Sequence, residues 1–173
     1  MEGVPNSNLA GSKKLTPQIR VASETALDTL IHLATAFRDH LGQSLPSDMD
    51  FRQSIAMLLK DAGTEFVLAS DILGTALGYV QLRYRHSMWT SVLEAELEDV
   101  FVVNEARRRG VGRRLVEFAI AHALDRGCRS IGLNTNERNI GALALYRQCG
   151  YVAEHVRWEG GRQLWLVRTL EPA

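Results

Sequence analysis

The stretch with the most chemical promise is Leu97-Glu-Asp-Val-Phe-Val-Val-Asn-Glu-Ala-Arg-Arg-Arg-Gly-Val-Gly-Arg113. A β-branched and aromatic run, Val100, Phe101, Val102 and Val103, breaks at Asn104-Glu105. It then passes through Arg107, Arg108, Arg109, Gly110, Val111, Gly112 and Arg113 into a segment of helical period. Strand, loop and helix start in that order leave the N–H groups from Arg108 to Arg113 without carbonyl partners, and such a nest binds an anion. Gly110 and Gly112 lack a Cβ, so the chain can take positive φ and approach a phosphate closely. The arginines add long-range attraction. The dinucleotide fingerprint is excluded because Leu115 stands where its third glycine belongs, and a Walker loop would end in Gly-Lys-Ser/Thr rather than Gly-Arg-Arg. A basic turn that merely solubilises a helix start is the competing reading.

Other polar residues are spaced for use. Glu94, Glu96 and Glu98 alternate on one face of the strand leading into the loop, with Asp99 on the other. Further on, Asn139 and Tyr146 are seven residues apart, nearly two helical turns, and so share a face about 10 Å apart along the axis. Asn139 as an ordinary helix cap, Tyr146 as a packing residue, and Glu94 and Glu96 as a solvated strand edge are the simpler alternatives.

The elements that must carry these residues follow from periodicity. Ile19–Ala22 reads as a strand. Ser23 offers an N-cap for an amphipathic helix ending near Gly42, and a second helix runs from about Met49 to Ala62, stopped by Gly63. Residues 65–70 and 76–84 form a hairpin in which Tyr79, Gln81, Arg83 and Arg85 share a face. A loop at 86–92 precedes the long strand 93–103. The helix after the anion loop buries Val111, Leu115, Phe118, Ala119 and His122 and is capped by Gly127. A strand at 129–135, a helix at 139–148 and strands at 151–158 and 162–170 complete an α/β fold.

The chain has 173 residues, 46% hydrophobic and 23% charged, which suits one soluble domain, 18–173, behind a flexible polar leader, 1–17. Twenty basic and twenty acidic side chains cancel, which argues against a nucleic-acid partner or an anionic membrane. No apolar run reaches the ~20 residues of a bilayer span and the N-terminus has no signal-peptide pattern, so the expected location is cytoplasmic. Cys128 and Cys149 form no Cys-x-x-Cys pair, and the five histidines show no His-Glu-x-x-His spacing, so no metal is expected.

Arg107-x-x-Gly110-x-Gly112 between strand and helix resembles the acyl-CoA signature of the GNAT superfamily of N-acetyltransferases. Asn139 followed by Tyr146, Gly150 and Tyr151 resembles its second signature. The element order β-α-α-β-β-β-α-β-α-β-β matches as well, over most of 18–170. The resemblance implies a mixed, mostly antiparallel sheet of about seven strands flanked by about four helices, with acetyl-CoA as co-substrate. It implies direct transfer to a primary amine of a small molecule, amino acid or peptide, without an acyl-enzyme. The Glu98-Asp99 pair is similar to that of polyamine-acetylating members and marks Glu98 as general base, with Tyr146 as general acid to the leaving thiolate. Cofactor contact is implied for Val100, Phe101 and Val102 beside a strand bulge, for Arg107–Arg113, and for Asn139 and Ala142 at the pantetheine arm. An acceptor pocket near the first two helices with Tyr84, His86 and Trp89 and a homodimer are consistent with the family. Many members carry glycine at the position of Arg108. A protein that binds acyl-CoA as a sensor or scaffold, without transferase activity, is the alternative class.

Overall fold

The computed structural model describes residues 16–153, 157–158, 161–162 and 168. Its elements are β1 (Gln18–Val21), α1 (Leu27–His40), α2 (Asp48–Leu58), β2 (Thr64–Ser70), β3 (Ala76–Ser87) and β4 (Val92–Val102). They continue with α3 (Val111–Asp125), β5 (Cys128–Leu133), α4 (Ile140–Gln148) and the two-residue strands β6 (Arg157–Trp158) and β7 (Gly161–Arg162). The sheet order is β1-β2-β3-β4-β5, antiparallel throughout except for the parallel β4–β5 pair. Among the described residues the sheet has five strands rather than the expected seven or so, and the described parts of β6 and β7 pair with each other. Most of the strands expected at 151–158 and 162–170, and nearly all of the expected leader, lie outside the described residues. The expected order also lacked two single 3-10 turns, Glu24–Ala26 and Asn104–Ala106.

Local chemistry explains where the helices begin. Ser47 Oγ accepts the Asp50 N–H (3.2 Å) while Asp50 Oδ2 accepts the Ser47 N–H (2.9 Å), a reciprocal cap that starts α2. Ser23 does not cap α1: its hydroxyl is engaged with Thr25 (2.8 Å), and the 3-10 turn comes first. The second helix stops at Leu58, four residues short of expectation, because the Asp61 carboxylate takes the Gly63 N–H and the Thr64 hydroxyl into a turn. The expected loop at 86–92 shrinks to 88–91, since Arg85 and Glu94 pair across the strands (3.3 Å) and the β3–β4 ladder continues to Ser87–Val92.

The period-two alternation of the central strands feeds two cores. One face of the sheet carries Val67, Val80, Leu82 and Leu97 against Val111, Leu115, Val116 and Ala119 of α3, with Leu145 and Tyr146 of α4 at its margin. The opposite face carries Phe66, Leu68, Tyr79 and Phe101 against Leu30, Leu33 and Ala34 of α1 and Ile55 of α2. Burying these side chains from both sides is what holds β4, and so everything mounted on it, in a fixed register.

Candidate active site

The β3–β4 register shifts at one point. Gln81 pairs with Asp99 and Leu82 with Leu97, so Glu98 is an extra residue and forms a bulge. The family resemblance placed the bulge beside Val100–Val102; the structure puts it two residues earlier. A bulge bends and twists its strand and re-aims side chains. Here it has two consequences.

The first is a gap in the sheet. The β4–β5 ladder ends at Leu97–Leu133, just before the bulge, while β4 continues to Val102. Val103 N–H donates to Leu77 O (3.0 Å), so by alternation Phe101 also faces β3. The main-chain groups of Val100 and Val102 therefore point away from β3, into the side that β5 has left. The Phe101 side chain does not share this position. It is buried on the α1–α2 face, stacked on Phe37 with centroids 5.1 Å apart, so the side chain packs in that core.

The second is a pair of carboxylates on one face. Asp99 was expected to point away from Glu98, but Tyr79 Oη donates to Asp99 Oδ2 (3.1 Å) and Gln81 Nε2 donates to Glu98 Oε2 (2.6 Å). Tyr79 and Gln81 are on the α1–α2 side, so the bulge has brought both acids there. Arg83 adds a contact of 3.3 Å to Glu98, whose side chain is 34% exposed. Burial pushes the Glu98 pKa up; Arg83 and Gln81 oppose this, Glu96 and Asp99 reinforce it, and the net shift is upward. Burial also raises Asp99 against the lowering bond from Tyr79. Asn134 donates to Glu96 (3.1 Å) at the end of β5. Sequence periodicity missed Asp99, because an alternating pattern carries no mark of one inserted residue.

Beyond β4, the chain turns through the 3-10 segment into the anion loop. Arg107 Nε donates to Val102 O (2.9 Å) and its guanidinium lies 5.8 Å from the Phe101 ring. Arg107 thus ties the loop to β4 through its Nε. Arg108 takes φ 59 and Gly110 φ 87, so both are left-handed. Gly112 is helical, which corrects the expectation of positive φ there. Leu145 and Val102 lie beside it: a Cβ would sit in ordinary contact, 3.4 Å from Leu145 Cδ2 and 3.5 Å from Val102 Cγ2. The first main-chain acceptor in this segment is Gly110 O, which takes the Arg114 N–H (3.1 Å). Among the described residues, the N–H groups of Arg108 through Arg113 have no main-chain acceptor. Val111 is 1% exposed, its side chain being part of the core. Arg113 is paired with Glu117 (2.7 Å), and Arg109 reaches only Glu105 O (3.4 Å).

Asn139 caps α4, its Oδ1 accepting the Ala142 N–H (3.3 Å). The Ala142 amide is thus engaged by the Asn139 side-chain oxygen, while the Asn139 Nδ2 end makes no hydrogen bond among the described residues. Tyr146 is half-buried, edge-on to Tyr151 with centroids 5.8 Å apart. Burial raises its pKa, with Cys149 adding to the effect, which keeps the phenol protonated and able to donate. Leu145, the neighbour of Tyr146, and Val102 both lie beside the Cβ position of Gly112, so the loop, the end of β4 and α4 meet at one place. Tyr84 is on the α3 side of the sheet, bonded to Glu65 (2.8 Å), and Trp89 stands 89% exposed at the hairpin tip. The described residues contain no group of three or more potential metal ligands, and no described helix is long and apolar enough to cross a membrane.

A splayed strand pair with a bulge, followed by a left-handed loop opening onto a helix N-terminus, is the α/β arrangement that the described residues build here. The acetyltransferase (GNAT) family profile matches residues 27–151, well over half of the chain, and the protein belongs to that family. It is 28% identical over 133 residues to the uncharacterized N-acetyltransferase YhfO of Bacillus subtilis, covering 77% of this chain and 88% of the relative. It is also 28% identical over 131 residues to the aminoglycoside N(6')-acetyltransferase type 1 of Stenotrophomonas maltophilia, covering 74% and 82% of the two chains. A solved structure of a probable acetyltransferase superposes with a TM-score of 0.78 at 24% identity, covering 88% of this chain and 99% of the other, which is agreement in fold.

Proposed function

We propose that this acetyltransferase moves the acetyl group of acetyl-CoA directly to a primary amine, both substrates being bound at once. The observation that carries the reading is the convergence of unpaired main-chain donors, six at the loop and two on β4, beside a carboxylate of raised pKa. The loop N–H groups and the positive end of α3 suit a diphosphate. The N–H groups of Val100 and Val102, about 6.7 Å apart along the strand, suit the pantetheine arm and the thioester carbonyl.

In this scheme Glu98 removes the amine proton, directly or through water, as the amine lone pair forms the C–N bond. An alkylamine with a free pKa near ~10.4 needs such a base near neutrality. Main-chain donors of β4 hold the negative charge that develops on the carbonyl oxygen. Tyr146 gives its proton to the sulfur as the C–S bond breaks. Neither cysteine is needed as a nucleophile: Cys128 is buried, and burial raises the pKa of both thiols. The acceptor is a cationic small amine on this reading. Four carboxylates, Glu94, Glu96, Glu98 and Asp99, face two guanidiniums, Arg83 and Arg85, a formal surplus of two negative charges. The test is release of free CoA across a panel of di- and polyamines, amino acids and aminoglycosides. Saturable thiol release with an amine is the expected result; acetyl-CoA binding without release from any amine would leave only the sensor class.

A further inference from the structure

Three partly buried carboxylates on the sheet are each matched by a cation. Glu65 has Arg126 at 2.5 Å, Glu94 has Arg85 at 3.3 Å and Glu98 has Arg83 at 3.3 Å. Asp99 departs from the pattern. Its hydrogen bond comes from the neutral Tyr79 hydroxyl, and no Lys, Arg or His of the described residues lies within 4 Å of it. Withdrawing a carboxylate from water without a counter-charge is costly, and a binding site is where such a cost is met by a ligand.

We propose that Asp99 is the counter-ion for the protonated amine of the acceptor, holding the ammonium on the α1–α2 face beside Glu98. The proposal rests on the acetyl-transfer reading and names the residue that recognises the cation. The bulge sets Asp99 next to Glu98 and immediately before Val100, whose N–H faces the gap between β4 and β5. Tyr79 is fixed between Phe66 and Phe101, each ring centroid 6.4 Å away, so its hydroxyl is held on Oδ2 and Oδ1 is left for the ligand. The charged and titratable groups around Asp99 are accounted for. From β3 come Tyr79 and Arg83, the latter engaged with Glu98; from β4 come Glu96 and Glu98; from α1 comes His40, packed 6.4 Å from Phe101. Glu98 then serves as base to an ammonium already positioned by its neighbour. Binding by one acid and deprotonation by the other separates affinity from rate.

The experiment is a carboxyl-carbon NMR titration of the full chain with n-butylammonium chloride, with n-butanol as the uncharged control. The expected result is a saturable movement of the Asp99 resonance and a fall in its apparent pKa with n-butylammonium, and neither with n-butanol. Asp99→Asn keeps an acceptor for Tyr79. It should raise KM for a primary amine at least tenfold, leave KM for acetyl-CoA alone and change kcat less than Glu98→Gln does. An unmoved Asp99 resonance, whether or not Glu94, Glu96 or Glu98 responds, overturns the proposal. The titration requires neither acetyl-CoA nor turnover. Ammonium binding at Asp99 without acetyl transfer would therefore defeat the functional reading alone, and acetyl transfer with a silent Asp99 would defeat this inference alone.

Discussion

Replacing Arg108 with glycine separates backbone strain from charge in the anion loop. Arg108 is a non-glycine residue at φ 59, where its Cβ crowds the following carbonyl. That conformation costs about 1–2 kcal/mol for an L-residue. Glycine removes the cost but releases more unfolded-chain entropy, about 0.5–1 kcal/mol. The net expectation is a gain of about 0.5–1 kcal/mol, or roughly 1–4 °C in Tm for a chain of this size. Arg108→Ala retains the Cβ and removes the guanidinium, so the difference between the two variants isolates the backbone. If the guanidinium meets a phosphate of acetyl-CoA, both variants should bind it more weakly by about fivefold, the scale of an exposed charge pair. Calorimetric Tm and acetyl-CoA titration measure the two effects separately. A glycine variant no more stable than the alanine variant would refute the strain argument, whatever happens to affinity.

Tyr146→Phe should lower kcat by about 10² while leaving acetyl-CoA affinity intact, the signature of a lost proton donor; an unchanged kcat in stopped-flow thiol release would remove Tyr146 from the chemistry. Gly112→Asp would set its Cβ in ordinary contact with Leu145 and Val102 and offer an internal carboxylate to the free N–H groups. Acetyl-CoA binding should fall at least tenfold by titration calorimetry, with Gly112→Ala affected much less. Glu65 is tied to Tyr84, His122 and Arg126. Burial tends to raise its pKa, but these partners outweigh burial and hold it below the usual range. A depressed folded-state pKa contributes stability that is present above the ordinary carboxylate value and lost as pH falls through the folded one. Glu65→Gln should therefore cost about 2 kcal/mol near neutrality. Urea denaturation should show the gap to the parent protein narrowing below about pH 4; a gap independent of pH would exclude the ion pair as its source.

Much of this protein can be read from residue order alone, because the relevant forces act between chain neighbours. The two-residue period of β2, β3 and β4, the heptad-like burial of Val111, Leu115 and Ala119, and the glycines that close α3 and α4 at φ 88 are local matters. So is the run of arginines and glycines that leaves helix-start N–H groups open. The pairing of strands is different, since it is settled between segments distant in sequence. Insertion of Glu98 opposite Gln81 and Leu82 turned Asp99 onto the face of Glu98 and parted β4 from β5 at Leu97, and no local period marks where that insertion falls. In the same way Gly112 came to lie beside Leu145 and Val102 and Arg107 to clasp Val102, because Leu145 and β4 come against the loop only when the chain is folded. Local periodicity selected the elements and their buried faces; cross-strand register, a balance among remote backbone partners, selected which acids share the site.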